Sequence, residues 1–174
     1  KALSNLEIAI AITGYPPDDL DVIREPIGDH PHVIIAHPGH PFATRKTIKL
    51  AELAPLAFVV REQGSGTRAL MENLFDASGV AHKIGMEIDS NETIKQAVMA
   101  GLGIAFISAH TIAAELESGR LCILPVKGLP VIRTWYAVQH AEKRLLPAAQ
   151  TMWQFLISER ARLLPKSEIA VGNG

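Results

Sequence analysis

Apolar positions in this chain come in short runs, each closed by glycine or proline, with stretches of helical spacing set between them. Residues 6–12 (LEIAIAI) read as a buried strand that Thr13-Gly14-Tyr15-Pro16-Pro17 stops. Residues 22–27 and 32–37 (HVIIAH) predict two further strands separated by Gly28-Asp29-His30-Pro31, and 47–53 a short helix before Pro55. Residues 57–75, AFVVREQGSGTRALMENLF, then change period: strand 57–61, a glycine turn, and a helix over 67–78. Its expected inward side is Leu70, Leu74, Phe75 and Ser78, with Gly79 at C′.

Strand 84–88 follows. Asp89 with Glu92 three residues on resembles a capping box for a helix over 90–100, whose apolar face is Ile94, Ala97 and Val98. Gly101 and Gly103 admit strand 104–107. Helix 110–118 turns Ile112 and Leu116 inward, and Gly119 stops it. Strands 121–126 and 133–139 precede a last helix that opens on Pro147, runs to about residue 159 and displays Ala148, Met152, Phe155 and Leu156. The tail from Pro165 is expected to fray.

Strands alternating with helices from 57 to 126 indicate a parallel or mixed α/β sheet. Strands 6–12 and 133–139 stand outside it at opposite ends. If they pair, the chain leaves one lobe, builds a second and returns, the topology of a hinged two-lobe binder.

Composition narrows the partners. The 174 residues are 48% hydrophobic and 20% charged, with 17 basic against 18 acidic side chains and a net charge of −1. That balance is poor for gripping a phosphate backbone. Cys122 is the single cysteine, so an internal disulfide is excluded and a reduced, buried thiol is expected. No apolar run is long enough to span a bilayer as a helix, and no signal peptide precedes the first strand. The start at Lys1, directly before a strand pattern, reads as a fragment of something longer.

The chemistry is densest where strand 57–61 hands over to the next helix. Free N–H groups and the positive end of the helix dipole make such a corner a seat for a small anion. Ser65 and Thr67 hydroxyls, the N–H groups of Gly66 to Arg68 and the Arg68 guanidinium are the candidate donors, flanked by Gln63 and Glu62. The plainer alternative is an N-cap and a tight turn.

Thr13, at the end of a strand, is a second candidate contact. Arg61 and Arg133 are candidate cleft-lining cations or solvated strand ends. Ser108 and His110 are candidates too, with helix capping the simpler reading for Ser108. His30, His32, His37 and His40 fit no zinc spacing, so no metal is expected. Ser65 lacks the glycines of a nucleophile elbow, Gly64 to Arg68 lacks the GK[ST] of a phosphate loop, and Gly101-Leu102-Gly103 ends a helix rather than opening one. Trp135 and Trp153 read as core anchors.

VVREQGSGTRALMENLF, SNETIKQAVMAGLGIAFISAHTIAAELESGRLCILPV, LPVIRTWYAVQ and the PAAQTMWQFL helix together resemble the effector-binding domain of LysR-type transcriptional regulators over roughly residues 3–160. REQGSGTR with AGLGIAFISAH looks most like the branch that controls Calvin-cycle carbon-fixation operons. The resemblance implies an α/β, periplasmic-binding-protein-like (type 2) fold of two lobes with a small-molecule cleft between them. Residues 1–14 and 132–174 would form lobe I and 28–126 lobe II, with 15–27 and 127–131 as hinge segments.

Lobe I would be incomplete, because the family's strand–helix–strand–helix opening is missing here. The DNA-binding helix-turn-helix is likewise absent, so DNA would be reached only through it. The family further implies a homodimer or homotetramer in the cytoplasm, with part of the last helix as a subunit contact. It also implies a small anionic effector, here a sugar phosphate, phosphoenolpyruvate or a nicotinamide nucleotide, with no cofactor and no catalysis. A solute-binding protein of a transporter is the alternative on the same fold; an enzyme is the third reading, and it lacks a nucleophile–base or acid–base constellation.

Overall fold

The computed structural model describes residues 3, 7–14, 16 and 20–164. Leu6, Tyr15, Pro17 and the expected frayed tail lie outside them. The described residues up to His30 together with those from Ile132 onward form one compact unit; Pro31–Val131 form the other. The boundary falls inside two strands, between His30 and Pro31 and between Val131 and Ile132.

The first unit holds strand β1 (Ala11–Thr13), which runs antiparallel to β7 (Val131–His140) with Ala11 opposite Val138 and Thr13 opposite Tyr136. On the other side of β7 lies β2 (Val22–Ala36). Helix α4 (Pro147–Ser158) starts with proline in its first turn, where a missing N–H costs nothing, and α5 (Arg160–Leu163) follows. Ile27, Ala137 and Leu156 form the core, with Trp135 and Trp153 packed against it as expected of core anchors.

β2 corrects the reading of two strands divided at residues 28–31. It runs unbroken through Gly28-Asp29-His30-Pro31. The glycine serves close packing rather than a turn: a Cβ on Gly28 would stand 2.6 Å from Leu164 Cδ1.

In the second unit β3 (Ala57–Arg61) pairs in parallel with β4 (Lys83–Ile88) and touches β5 (Ala105–Ser108) through a parallel bridge, Phe58 to Ile104. The distal half of β2 runs antiparallel between β5 and the two-residue β6 (Cys122–Ile123). Period-2 alternation sorts the strands' side chains onto two faces. Phe58, Val60, Phe106 and Ile34 meet Met71 and Phe75 of helix α1 (Gly66–Ala77) on one face. Val59, Ile107, Val33 and Ile35 meet Ile94 and Val98 of α2 (Asn91–Met99), and Ile112, on the other.

Local expectations shift in five places. α1 buries Arg68, Met71 and Phe75, while Leu70 and Leu74 are half-buried and Ser78 is an exposed C-cap. α2 is capped by Ser90, whose hydroxyl accepts from the Thr93 N–H at 3.4 Å, rather than by Asp89. The Glu92 carboxylate goes instead to Lys95 and Gln96. The helix expected at 110–118 breaks at fully buried Ile112 into a 3-10 turn, Ala109–Thr111, and α3 (Ala113–Glu117). The helix at 47–53 shrinks to a 3-10 turn, Leu50–Leu53, and the strand at 121–126 to β6, since Pro125 has no N–H for a ladder.

Candidate functional site

β3 delivers the chain to its C-terminal end at Arg61. A turn closed by the Ser65 N–H on the Glu62 carbonyl (3.2 Å) follows, with Gly64 at φ +87°, a conformation side chains disfavour. Ser65 is the extended N-cap of α1, and the Ala69 N–H donates to its carbonyl at 3.0 Å. The Ser65 hydroxyl makes no capping bond, so the plain N-cap alternative loses its main contact. The N–H groups of Gly66, Thr67 and Arg68 precede the first intrahelical bond. Gly66 is exposed and Ser65 and Thr67 are half-buried, so solvent reaches this corner.

β5 runs parallel to β3, so its C-terminal end lies at the same edge of the sheet. There stands Ser108, 5% exposed, and its hydroxyl has no hydrogen-bond partner among the described residues. It occupies the N-cap position of the following 3-10 turn without capping it, while its carbonyl accepts from Thr111 Oγ1 at 2.7 Å. His110 is half-buried in that turn. The edge therefore carries amide donors and hydroxyls at the carboxyl ends of parallel strands, the usual place for ligands on an open α/β sheet.

The two arginines of this edge are committed within the unit. Arg61 gives Nε and Nη2 to both oxygens of Glu62 (2.7 and 2.9 Å) and Nη1 to Asn91 Oδ1 (2.9 Å). That pairing holds the Glu62 carboxyl below its usual range. Arg68, 5% exposed, donates Nε to Glu72 at 2.5 Å and Nη1 to the Arg61 carbonyl at 2.9 Å and to Glu87 at 3.2 Å. Two guanidinium groups thus meet the carboxylates of Glu62, Glu72 and Glu87, and the other donors of the corner, the amides of residues 66–68 and the Ser65 and Thr67 hydroxyls, are neutral. Gln63 is exposed beside them.

Thr13 and Arg133 belong to the first unit. Thr13 ends β1 opposite Tyr136; Arg133, half-buried on β7, lines a groove of about 410 Å³ with Gly14, Arg24, Thr134 and Tyr136. Sequence reading missed Arg24 and Tyr136, since neither sits in a motif; only their neighbouring strands bring them together.

The histidines scatter. His37 Nδ1 accepts from Gly39 N–H (2.9 Å) and His40 Nδ1 from Phe42 N–H (3.1 Å), both as turn caps. His30 stacks on Trp135 at 3.9 Å and His32 on Phe106 at 5.4 Å. No group of metal-ligating residues forms among the described residues, and none of their helices is long and apolar enough to cross a membrane.

The LysR substrate binding domain model matches residues 1–161. The HTH-type transcriptional regulator CbbR of Xanthobacter flavus is 52% identical over 168 residues, which are 95% of this chain and 50% of that protein. The RuBisCO operon transcriptional regulator of Allochromatium vinosum is 45% identical over 163 residues, 94% of this chain and 54% of that protein. The chain thus spans about half the length of the curated relatives it matches. Among solved structures, the Synechocystis PCC6803 CcmR regulatory domain in complex with 2-PG superposes with a TM-score of 0.88 at 36% identity, over 93% of this chain and 78% of that one. The effector binding domain of QuiR in complex with shikimate shares the fold, with a TM-score of 0.82 at 20% identity, over 94% of this chain and 77% of that one.

Proposed function

The chain belongs to the LysR substrate-binding domain family, and on that premise we propose that it is the effector-sensing part of a transcriptional regulator of carbon-fixation genes. Its effector is a small anionic metabolite, and a phosphorylated carboxylic acid such as 2-phosphoglycolate fits best. The 2-PG complex of the CcmR domain, at 36% identity, supports that class over the sugar phosphates and nicotinamide nucleotides. The transporter alternative has no support among these relatives.

One observation carries the reading: the unpartnered Ser108 hydroxyl lies at the same sheet edge as the free amides of Gly66, Thr67 and Arg68. A buried hydroxyl without a partner costs about 1–3 kcal/mol, which a bound ligand oxygen recovers. Backbone N–H groups at a helix start hold an anion without any side-chain cation. Ser65 and Thr67 add hydroxyls, and Gln63 lies within the same turn.

Binding here would act by preferring one arrangement of the regulator over another; a difference of about 1–3 kcal/mol changes DNA affinity 5- to 150-fold. DNA contact would come from a helix-turn-helix elsewhere in a longer, homo-oligomeric, cytoplasmic protein. No chemical step is assigned to the site.

The test is a thermal-shift and calorimetric comparison of 2-phosphoglycolate, phosphoenolpyruvate, ribulose 1,5-bisphosphate and NADPH, using the chain and its Thr67→Ala variant. A ligand at about 100 times its Kd should add ~2.7 kcal/mol of stability to the parent. Equal binding by Thr67→Ala would remove the Thr67 hydroxyl from the site, and no shift with any of the four would reject the ligand class.

A further inference from the structure

Arg68 is the one charged residue of Ser65-Gly66-Thr67-Arg68, yet its side chain is turned into the protein. A single guanidinium reaches the Arg61 carbonyl at the end of β3, Glu72 one turn along α1, and Glu87 on β4. These are the three elements that meet at the corner. Arg68 Nε and Nη1 are spent on them, and two carboxylates balance the charge. A planar fork with fixed donor directions sets an angle between the groups it joins, which a flexible ammonium does not.

We propose that Arg68 is a positioning residue: it brackets the first turn of α1 against the ends of β3 and β4, and so aims the amides of residues 66–68, without itself touching the ligand. The inference rests on the reading of this corner as the anion site. It explains why an arginine follows Thr67 at a place where the anion's donors are neutral. Glu72 and Glu87 are part of the same bracket: they hold the guanidinium back from the open side, so the corner recognises an anion by the direction of its hydrogen bonds and not by net charge. The strut also lies on a different path from the Arg61–Glu62–Asn91 pairings, which tie the turn to the start of α2.

The experiment compares the parent chain with Arg68→Gln, Arg68→Lys and Thr67→Ala. Amide hydrogen exchange without ligand is read at Ser65 and Ala69, whose N–H groups close the corner. Affinity for 2-phosphoglycolate is read at two salt concentrations. Arg68→Gln should speed exchange at both amides about tenfold and leave the Val98 amide unchanged, because local opening is sampled separately from global unfolding. It should weaken 2-phosphoglycolate about tenfold, because the amides are no longer held in the binding geometry, with the salt dependence of binding unchanged. Arg68→Lys should recover part of both losses. Thr67→Ala should weaken binding without moving exchange.

Unchanged exchange at Ser65 and Ala69 in Arg68→Gln overturns the proposal, as does loss of affinity together with its salt dependence, the mark of direct ion contact. If the parent binds no 2-phosphoglycolate, that ligand is rejected while the exchange data still decide the role of Arg68. Should Arg68→Gln not fold, Glu87→Ala removes one leg of the bracket at a half-exposed position and must speed Ala69 exchange for the proposal to stand.

Discussion

Lys95 on α2 and Glu115 on α3 form an ion pair, Nζ to Oε1 at 2.9 Å, with about a tenth of either side chain open to solvent. Glu92 approaches the same ammonium at 2.7 Å, and Arg120 reaches Glu115 at 3.9 Å. The pair joins two helices on one face of the second unit. Removing one member strands a desolvated charge, so Lys95→Met should cost about 3 kcal/mol in urea denaturation, the lower end of the range for broken buried pairs because Arg120 remains.

The same pair sets an acid limit. The Lys95 hydrogen bond holds the Glu115 carboxyl below its usual range, outweighing burial, which pushes the other way. A carboxyl depressed in the folded state stabilises at pH above its unfolded value, about 4.3, and this contribution is lost as pH falls through the lower folded value. Stability of the parent should therefore fall more steeply below pH ~4.3 than that of Lys95→Met, measured by denaturant midpoints from pH 7 to 3.

Gly103 abuts its neighbour strand. A Cβ there would stand 2.5 Å from the Ala57 carbonyl oxygen and 3.2 Å from Val59 Cγ2, and the first of these is backbone that cannot swing away. The Ile104 N–H donates to that same carbonyl at 3.0 Å, so displacement would also strain the bridge between β3 and β5. Gly103→Ala should cost about 2–3 kcal/mol. Gly101→Ala meets open space but requires φ +76°, and should cost only ~1 kcal/mol. Thermal melts of the two variants rank them; equal losses would contradict the packing argument.

The second unit was legible in its sequence because its buried strands are short apolar runs and each helix carries a stop. Gly79 at φ +63° and Gly119 at φ +68° end their helices as read. Periodicity misjudged places where a polar residue points inward. Arg68 is buried by its ion pairs, which hydropathy cannot register, and its burial rotates the inward face of α1 toward Met71. Gly28 looked like a turn because glycine's freedom and glycine's small size leave the same letter; only Leu164 against it tells which is used. The glycine corner was visible as a motif, whereas the partnerless state of Ser108 is a tertiary fact with no local trace.

The first unit should open before the second. Its core is Ile27, Ala137 and Leu156, and α4 leaves Met152 and Phe155 about half exposed. The second unit encloses two clusters, with Phe58 and Phe75 in edge contact at 5.3 Å. Fewer buried apolar contacts mean cheaper local opening. Hydrogen exchange should therefore be at least about tenfold faster for the bonded amides of α4 than for those of α2. Phe75→Ala should cost ~4 kcal/mol and reverse that order.

Ser108→Ala separates folding from binding by sign. The Ser108 hydroxyl is buried and lacks a partner, so it weakens the ligand-free fold relative to a methyl of similar size. The backbone is indifferent to the exchange: Ser108 pairs with His32 in β2 through main-chain register, and its carbonyl keeps the Thr111 hydroxyl. Alanine should thus stabilise the ligand-free chain by about 1 kcal/mol. If the hydroxyl waits for a ligand oxygen, the same variant should lose about 1–1.5 kcal/mol of 2-phosphoglycolate affinity, roughly tenfold in Kd. Melting temperature without ligand should rise while the ligand-induced shift shrinks, both read in one thermal-shift series. A rise in stability with an unchanged ligand shift would place the effector away from the end of β5.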